Sequence, residues 1–172
     1  MFDTKFYRHP NWYQENFADI AILKLEEKLE FNEFVKPIRL ANLRNEGGIS
    51  VLNDCKVAGF GNITSPQKQL PWMLQEAPTN LISRGYCRRL NSFYAPHLRV
   101  TRTHICTKDS GYGACYGDGG SPLVCFDAKK MPYQVGIISW GSLDCWEGFN
   151  VYTRVARFRR WIRENMEQSE EF

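Results

Sequence analysis

Six cysteines constrain the fold of this chain most strongly, because they are spread over the last two thirds of its 172 residues. They are Cys55, Cys87, Cys106, Cys115, Cys125 and Cys145. An even number of cysteines at wide spacings is typical of a disulfide framework, which forms in an oxidising compartment. The alternative is a set of six buried free thiols. Six cysteines allow 15 pairings, and spacing alone does not choose among them.

Composition excludes several classes of protein. With 43% apolar and 24% charged residues, the chain has the composition of one globular domain or two small lobes. Its net charge of +3 is too small to indicate nucleic-acid or membrane binding. No run of about 18 apolar residues is present, and neither the histidines nor the cysteines have metal-ligand spacing. The sequence therefore predicts no cofactor, no metal and no membrane span.

The N-terminal residues do not contain the export signal that a disulfide-bonded protein needs. The residues MFDTKFYRHPNWYQENF contain no apolar segment of a signal peptide. A sequon at Asn62, Asn62-Ile63-Thr64, is nevertheless compatible with secretion and glycosylation. We therefore expect a secreted protein that has lost its signal peptide by N-terminal truncation.

Short apolar segments separated by turn residues predict an all-β protein, either a sandwich or a barrel. DIAILKL (19–25) has the pattern of a buried strand, and FVKPIRL (34–40) that of an extended segment broken by Pro37. The polar residues 41–50 predict a crossover between two lobes. Further strands are predicted within 55–61, 74–83, 121–126, 133–141 and 150–155.

A single helix is predicted, at the C-terminal end. Val155, Phe158, Trp161 and Ile162 recur at helical spacing, which gives the segment one apolar face. Arginines surround this face, and their pattern is that of a solvated rim on a docked helix. They are Arg157, Arg159, Arg160 and Arg163.

The segment CYGDGGSPLVC (115–125) has the composition of a loop that presents a nucleophile. A catalytic serine needs a tight turn, flanking amides that hold the oxyanion, and a histidine oriented by a carboxylate. The segment resembles the Cys-x-Gly-Asp-Ser-Gly-Gly-Pro-Leu-Val-Cys signature of the chymotrypsin-like (trypsin-fold) serine proteases. Further blocks resemble that family in the same order: the segment around ADIAIL, CKVAGFG, HICT, GIISWGSLDC and NVYTRVARFRRWI.

The resemblance implies a two-lobed double β-barrel with a C-terminal helix. The first barrel would be incomplete and would comprise residues 1–45, the second barrel 46–155, and the helix 156–167. It also implies the three disulfides Cys55–Cys125, Cys87–Cys106 and Cys115–Cys145.

The same loop departs from the family at the position of the nucleophile. The flanking cysteines and Pro122 fix the alignment, which places Gly119 at the nucleophile position and Ser121 two residues later. Two residues of extended backbone displace a side chain by roughly 6–7 Å, whereas a misplacement of about 1 Å can cost about 100-fold in rate. We therefore predict that the nucleophile has been lost.

The other catalytic parts are only partly retained. Asp19 matches the aspartate that orients the family's histidine, but the family's Ala-Ala-His-Cys motif is absent. His9, His97 and His104 are interpreted as surface or packing residues. Asp118 matches the aspartate that pairs with the ammonium group released on zymogen activation. Without that partner, we expect its buried carboxylate to be disordered or protonated.

The substrate pocket implied by the resemblance is also altered. Gly113 stands where trypsin-like enzymes carry the aspartate that selects Lys or Arg, and Asn150 replaces a wall glycine. Ser139, Trp140 and Gly141 match the family's substrate-binding strand. The amides of Gly117 and Gly119 match its oxyanion hole.

These features favour a secreted, non-catalytic serine protease homologue that acts by binding. It resembles the homologues of arthropod extracellular cascades, and its expected partner is an active serine protease or its substrate. Two alternatives stay open: an endopeptidase with Ser121 as an atypical nucleophile, or a degenerate gene fragment.

Overall fold

Ten strands and two α-helices are present in the residues that the computed structural model describes, which are 5–13, 18–42, 53–63, 70–108, 111 and 113–167. Near the N-terminus, β1 (Lys5–Arg8) pairs antiparallel with β2 (Ala21–Lys24). The strand predicted within 19–25 is therefore confirmed, but the prediction that it is buried was wrong, since the residues of β2 are exposed or half-buried. This hairpin leaves apolar side chains on the surface, because Leu23 is 67% exposed and Phe6 is 64% exposed.

The remaining strands form one large sheet. They are β3 (Arg39–Leu40), β4 (Asn53–Gly59), β5 (Gln75–Thr79), β6 (Leu81–Ile82), β7 (His104–Lys108), β8 (Pro122–Phe126), β9 (Pro132–Gly141) and β10 (Phe149–Arg154). Their order is β5-β4-β8-β9-β10-β7-β6, with β3 added in parallel to β9. Only Asn80 separates β5 from β6 in the chain, so the two ends of this order meet. The sheet therefore curls round into a barrel, as the resemblance implied.

The barrel encloses the principal apolar core. Leu123, Val135 and Tyr152 are fully buried there and pack with the Cys55–Cys125 disulfide. A second cluster lies between the barrel and the Cys87–Cys106 disulfide, and it contains Phe149 and Val151. The third disulfide is Cys115–Cys145. These are the three pairs that the resemblance implied, and none of the cysteines is free.

The prediction of a single helix was wrong. A helix, α1, extends over Arg84–Tyr94, in addition to the C-terminal helix α2 (Val155–Glu167). Ser83 caps α1, since its Oγ accepts a hydrogen bond from the Tyr86 amide at 3.3 Å. The buried stripe of α1 contains Cys87 and Asn91 in place of larger apolar residues. This composition concealed its helical periodicity.

The C-terminal helix packs against the N-terminal part of the chain. Phe158 lies in a buried cluster with Ala18 and Ile20, and Arg159 Nη1 donates to the Leu40 carbonyl at 2.9 Å. Within the predicted crossover 41–50, only Ala41 and Asn42 belong to the described residues. The domain boundaries given above stay predictions. Neither helix combines the length and apolarity needed to cross a bilayer.

Candidate functional site

Asp19 is held at the edge of the barrel by contacts with β9 and β10. Its carboxylate Oδ2 accepts a hydrogen bond from Ser139 Oγ at 2.5 Å. Its backbone carbonyl accepts one from Thr153 Oγ1 at 2.7 Å. Asp19 and Ser139 line a cavity of about 540 Å³, called here the Asp19 cavity. The structure therefore places the residue matched to the catalytic aspartate beside the matched substrate-binding strand.

Gly119 also lines the Asp19 cavity. A Cβ added at Gly119 would have no other atom within 4 Å, and its φ is outside the left-handed region. A side chain at this position would thus project into open space beside the cavity. The residue matched to the nucleophile position thus lines the same cavity as Asp19 and has no hydroxyl.

Ser121 faces a different part of the molecule. Its amide donates to the Asp118 carbonyl and its carbonyl accepts from the Ile138 amide, both at 2.9 Å. A Cβ added at Gly59 of β4 would lie 3.3 Å from Ser121 Oγ. Among the described residues that line the Asp19 cavity, Gly119 and Gly120 are present and Ser121 is not. The two-residue shift thus turns the serine hydroxyl towards β4.

The amides matched to the oxyanion hole are available for a ligand. Within the part of the chain that the structure describes, neither the Gly117 nor the Gly119 amide donates a hydrogen bond to the protein. Gly117 has φ = 96°, which glycine adopts without strain, and a Cβ there would lie 3.1 Å from Gly61 Cα. Two unpaired amides close together can bind a carbonyl oxygen or an anion.

Asp118 is buried, and both of its carboxylate oxygens accept hydrogen bonds from the backbone. Oδ1 accepts a hydrogen bond from the Gly61 amide at 2.8 Å. Oδ2 accepts one from the Cys115 amide at 2.9 Å. Two backbone donors stabilise a buried carboxylate in place of a cation. No sequence motif indicates this arrangement, because Gly61 is 57 residues away along the chain.

A second pocket, of about 310 Å³, opens between the 114–119 loop and the end of β9. We call it the Asn150 pocket, because this buried side chain closes it. A Cβ at Gly113 would lie 2.9 Å from Asn150 Nδ2, and a Cβ at Gly141 would lie 2.5 Å from Asn150 Oδ1. The Asn150 amide therefore reaches from one wall glycine to the other.

Asn150 is held in place by the backbone of Ala114. With its amide oriented to match donors and acceptors, its nitrogen donates to the Ala114 carbonyl at 3.2 Å and its oxygen accepts from the Ala114 amide at 3.3 Å. No acidic side chain lines this pocket among the described residues. The described residues that line the pocket are therefore uncharged.

Trp140 forms part of the pocket wall, and a residue missed by sequence reasoning fixes its position. Its Nε1 donates to Asn91 Oδ1 of α1 at 2.9 Å. The Asn91 Nδ2 group donates to the carbonyls of Ala95 and Leu98 at 2.9 and 2.8 Å. No sequence motif marks Asn91, because its role depends on a partner 49 residues away.

The histidines have packing or surface environments. The His9 ring lies against Phe158 and Trp161, and burial lowers its pKa. His104 is buried beside Trp140, and its Nδ1 accepts from the Thr101 amide at 3.0 Å. His97 is exposed. Among the described residues, no histidine donates to or accepts from Asp19 in a hydrogen bond.

The predicted glycosylation site lies at the margin of the described residues. Asn62 is half-buried, and its backbone amide donates a hydrogen bond to the Tyr116 carbonyl at 2.8 Å. Thr64 of the sequon lies outside the described residues. Glycosylation of Asn62 stays a prediction.

Comparison with known proteins agrees with this geometry. The family model "Trypsin" matches residues 3–162. Mouse kallikrein-8 is 33% identical over 90% of this chain and 55% of its own length. Hypodermin-B of Hypoderma lineatum is 36% identical over 90% of this chain and 54% of its own length. The chain thus spans about half the length of the curated relatives it matches.

A solved structure shows the same fold. Neuropsin, described as a serine protease expressed in the limbic system of mouse brain, is 32% identical with a TM-score of 0.79. The superposition covers 94% of this chain and 70% of neuropsin. Together, the curled barrel, the Asp19–Ser139 contact and these similarities show that the chain belongs to the trypsin family of chymotrypsin-like serine proteases.

Proposed function

We propose that this protein is a secreted, non-catalytic member of the family that acts as a binding cofactor or regulator in an extracellular proteolytic cascade. The observation that carries the proposal is Gly119, which lines the cavity beside Asp19 without offering a hydroxyl. In a serine-protease mutant series, loss of the nucleophile lowers turnover by about 2 × 10⁶. The three disulfides support an extracellular location.

The orientation of Ser121 argues against an atypical enzyme. A nucleophile must lie within reach of both a base and the oxyanion donors. The Ser121 hydroxyl faces Gly59, whereas the unpaired Gly117 and Gly119 amides adjoin the Asn150 pocket. Ser139 does line the Asp19 cavity, but its hydroxyl donates to the Asp19 carboxylate.

A binding role is supported by an unpaired strand edge at the site. Strand β9 pairs with β8 only as far as Ile137, whereas its pairing with β10 continues to Gly141. Ser139–Gly141 therefore presents one edge without a neighbouring strand among the described residues. An extended peptide can pair with such an edge by main-chain hydrogen bonds. We propose that the partner is an active serine protease or its protein substrate.

Exposed apolar side chains flank this edge. Leu143 is 73% exposed, and Tyr116 is 56% exposed. Both line the Asn150 pocket. Aromatic and aliphatic side chains at the rim of a concave, uncharged pocket fit an apolar peptide side chain better than a basic one. The structure therefore favours a partner segment with a small or apolar residue at this position.

The absence of catalysis is tested with a fluorophosphonate, which labels activated serines covalently. We expect no labelling of the native secreted protein under conditions that label trypsin completely. A matched Ser121→Ala variant should behave identically. Labelling that maps to Ser121 and disappears in this variant would show that the protein is an enzyme and overturn the proposal.

The binding role is tested by capturing partners from the extracellular fluid of the source. The bait is the native protein, compared with Leu143→Glu at the pocket rim and Arg157→Glu on the exposed face of α2. We expect the native protein and the α2 variant to retain a phosphonate-reactive protease or its substrate. Leu143→Glu should lose most of it. Equal retention by all three baits would remove the pocket and strand edge from the proposal.

A further inference from the structure

The positive charge of this chain is concentrated in one segment. Residues 77–108 contain five arginines, one lysine and no Asp or Glu. Since the whole chain carries 22 basic and 19 acidic residues, the rest of it holds 16 basic residues against those 19 acidic ones. The small net charge of +3 therefore conceals a strongly basic region on an otherwise slightly acidic protein.

The fold gathers these arginines on α1 and on the loop that follows it. Arg84 and Arg88 are four residues apart on the helix, so they share one flank at a separation of about 6 Å along the axis. Arg88 Nε donates to the Val100 carbonyl at 3.0 Å. This contact places Arg88 beside the loop that carries Arg99 and Arg102. The Arg89 guanidinium lies over the Tyr86 ring, 5.6 Å from its centroid.

The loop is held rigidly against the helix. Asn91 binds the Ala95 and Leu98 carbonyls, and Thr101 Oγ1 lies 2.7 Å from Thr103 Oγ1. The Cys87–Cys106 disulfide joins α1 to β7. We call the exposed side chains on this framework the arginine surface: Arg84, Arg88, Arg89, Arg99 and Arg102. A surface whose charges are already positioned binds a charged ligand with less loss of conformational entropy.

The arginine surface differs from the basic rim of α2 in its pairing. On α2, Arg160 and Arg163 form ion pairs with Glu164 and Glu167. In contrast, no carboxylate of the described residues forms an ion pair with Arg84, Arg88, Arg89 or Arg102. Their charge is therefore available to an external anion, whereas much of the charge on α2 is neutralised within the helix.

The chemistry of this surface points to sulfate or phosphate groups repeated along a polymer. The guanidinium group offers parallel N–H donors that match the oxygens of such anions, and Arg88 retains its terminal nitrogens after its contact with Val100. Several charges on one face favour an extended polyanion over a single small ion. Disulfide bonding places the protein in an oxidising compartment, outside the reach of cytoplasmic phospholipid headgroups.

We propose that the arginine surface is a binding site for a sulfated polysaccharide. Its ligand would lie along α1 and the 95–103 loop, with sulfate groups paired with the arginines. The site would hold the protein at cell surfaces or in extracellular matrix. This inference takes only the extracellular location from the proposed function, and its test does not depend on whether Ser121 is catalytic.

The test measures binding of the full chain to heparin at several salt concentrations. Binding through four arginines should weaken by about 50- to 150-fold between 50 and 200 mM salt, because condensed counterions are released. The variant R84Q/R88Q/R102Q should bind about 100-fold more weakly at 100 mM salt. It should also reduce the slope of log affinity against log salt by about 2 to 3.

A control variant with the same loss of charge is R157Q/R160Q/R163Q on α2. It should retain heparin affinity within about threefold, because two of its three arginines are already ion-paired. Since Arg88 contacts the Val100 carbonyl, the variant R84Q/R102Q separates loss of binding from local unfolding. The heparin affinity of R84Q/R102Q should still fall by about 25-fold. Near-ultraviolet circular dichroism checks the fold of each variant.

Three results would overturn the proposal. One is the absence of heparin binding at 50 mM salt. Another is an equal loss in the α1 and α2 variants, which would show that only net charge matters. The third is equally tight binding of duplex DNA, phosphatidylserine vesicles or desulfated heparin at the same salt concentration. Any of these ligands would show that the surface does not recognise sulfate groups.

Discussion

The buried contact between Gly61 and Asp118 gives the sharpest prediction for stability. A Cβ at Gly61 would lie 2.5 Å from Asp118 Cγ, 2.6 Å from Oδ1 and 2.7 Å from Oδ2. Real Cβ atoms do not approach other atoms so closely, so Gly61→Ala must displace the carboxylate. Displacement breaks the hydrogen bonds from the Gly61 and Cys115 amides.

Two contributions set the magnitude. Each hydrogen bond to a charged group contributes about 1.5–3 kcal/mol, and overpacking a buried site costs about 1–3 kcal/mol. We expect Gly61→Ala to lower the free energy of unfolding by about 3–5 kcal/mol, since part of the hydrogen bonding will be recovered on relaxation. This is a large share of the stability of an ordinary domain.

A double-mutant cycle isolates the cause. Unfolding in urea with intact disulfides is measured for the native protein, Gly61→Ala, Asp118→Ala and the double variant. Once the carboxylate is removed, Gly61→Ala should cost less than about 1 kcal/mol, which gives a coupling energy of about 3 kcal/mol. Gly119→Ala is the control, because its Cβ meets no atom within 4 Å. A cost that is unchanged in the Asp118→Ala background would refute the steric explanation.

Three further predictions concern other parts of the molecule. Gly85→Ala should stabilise α1 by about 1 kcal/mol, because a Cβ added at this position would have open space. Calorimetry should then show a Tm raised by about 2–4 °C, and a lower Tm would contradict the prediction. Asn150→Ala should destabilise by about 1–3 kcal/mol in urea, because the Ala114 amide and carbonyl lose their partners; an unchanged midpoint would show that they do not pair. Burial lowers the pKa of His9 in the folded protein below 6.5, the ordinary value that applies to the unfolded chain. The stability that the neutral His9 ring contributes is therefore present above pH 6.5 and is lost as pH falls towards the pKa of the folded protein. NMR titration should place the His9 pKa below 6.5, and His9→Gln should flatten the pH dependence of unfolding; a normal pKa would contradict this.

The sequence predicted best what covalent structure and local spacing determine. Cys115, Pro122 and Cys125 fix the alignment of the nucleophile loop, and the structure places Gly119 in the cavity that Asp19 lines. The strands were recognisable because apolar residues cluster between turns. In contrast, α1 was missed because Cys87 and Asn91 occupy part of its buried stripe, so helical periodicity is weak there.

Contacts between side chains and residues that are distant in sequence could not be predicted in this way. The carboxylate of Asp118 binds an amide 57 residues away, and Trp140 binds Asn91 across 49 residues. Asn150 could be aligned with a wall glycine, but its span between Gly113 and Gly141 depends on barrel curvature. Likewise, the direction of the Ser121 hydroxyl follows from a turn closed by the Asp118 carbonyl. Sequence spacing contains none of these distances.

The packing of the N-terminal hairpin against α2 has a consequence for biosynthesis. Ala18 and Ile20 find their buried partner in Phe158, and β3 pairs with β9 at Tyr133 and Gln134. About 140 residues separate Ile20 from Phe158 along the chain, and ribosomes add about 5–20 residues each second. The segment that carries Ala18 and Ile20 therefore waits for roughly 7–28 s without its docking surface. During that interval Leu23 and Ile20 are accessible to chaperones, so this hairpin completes its packing only after α2 has been made.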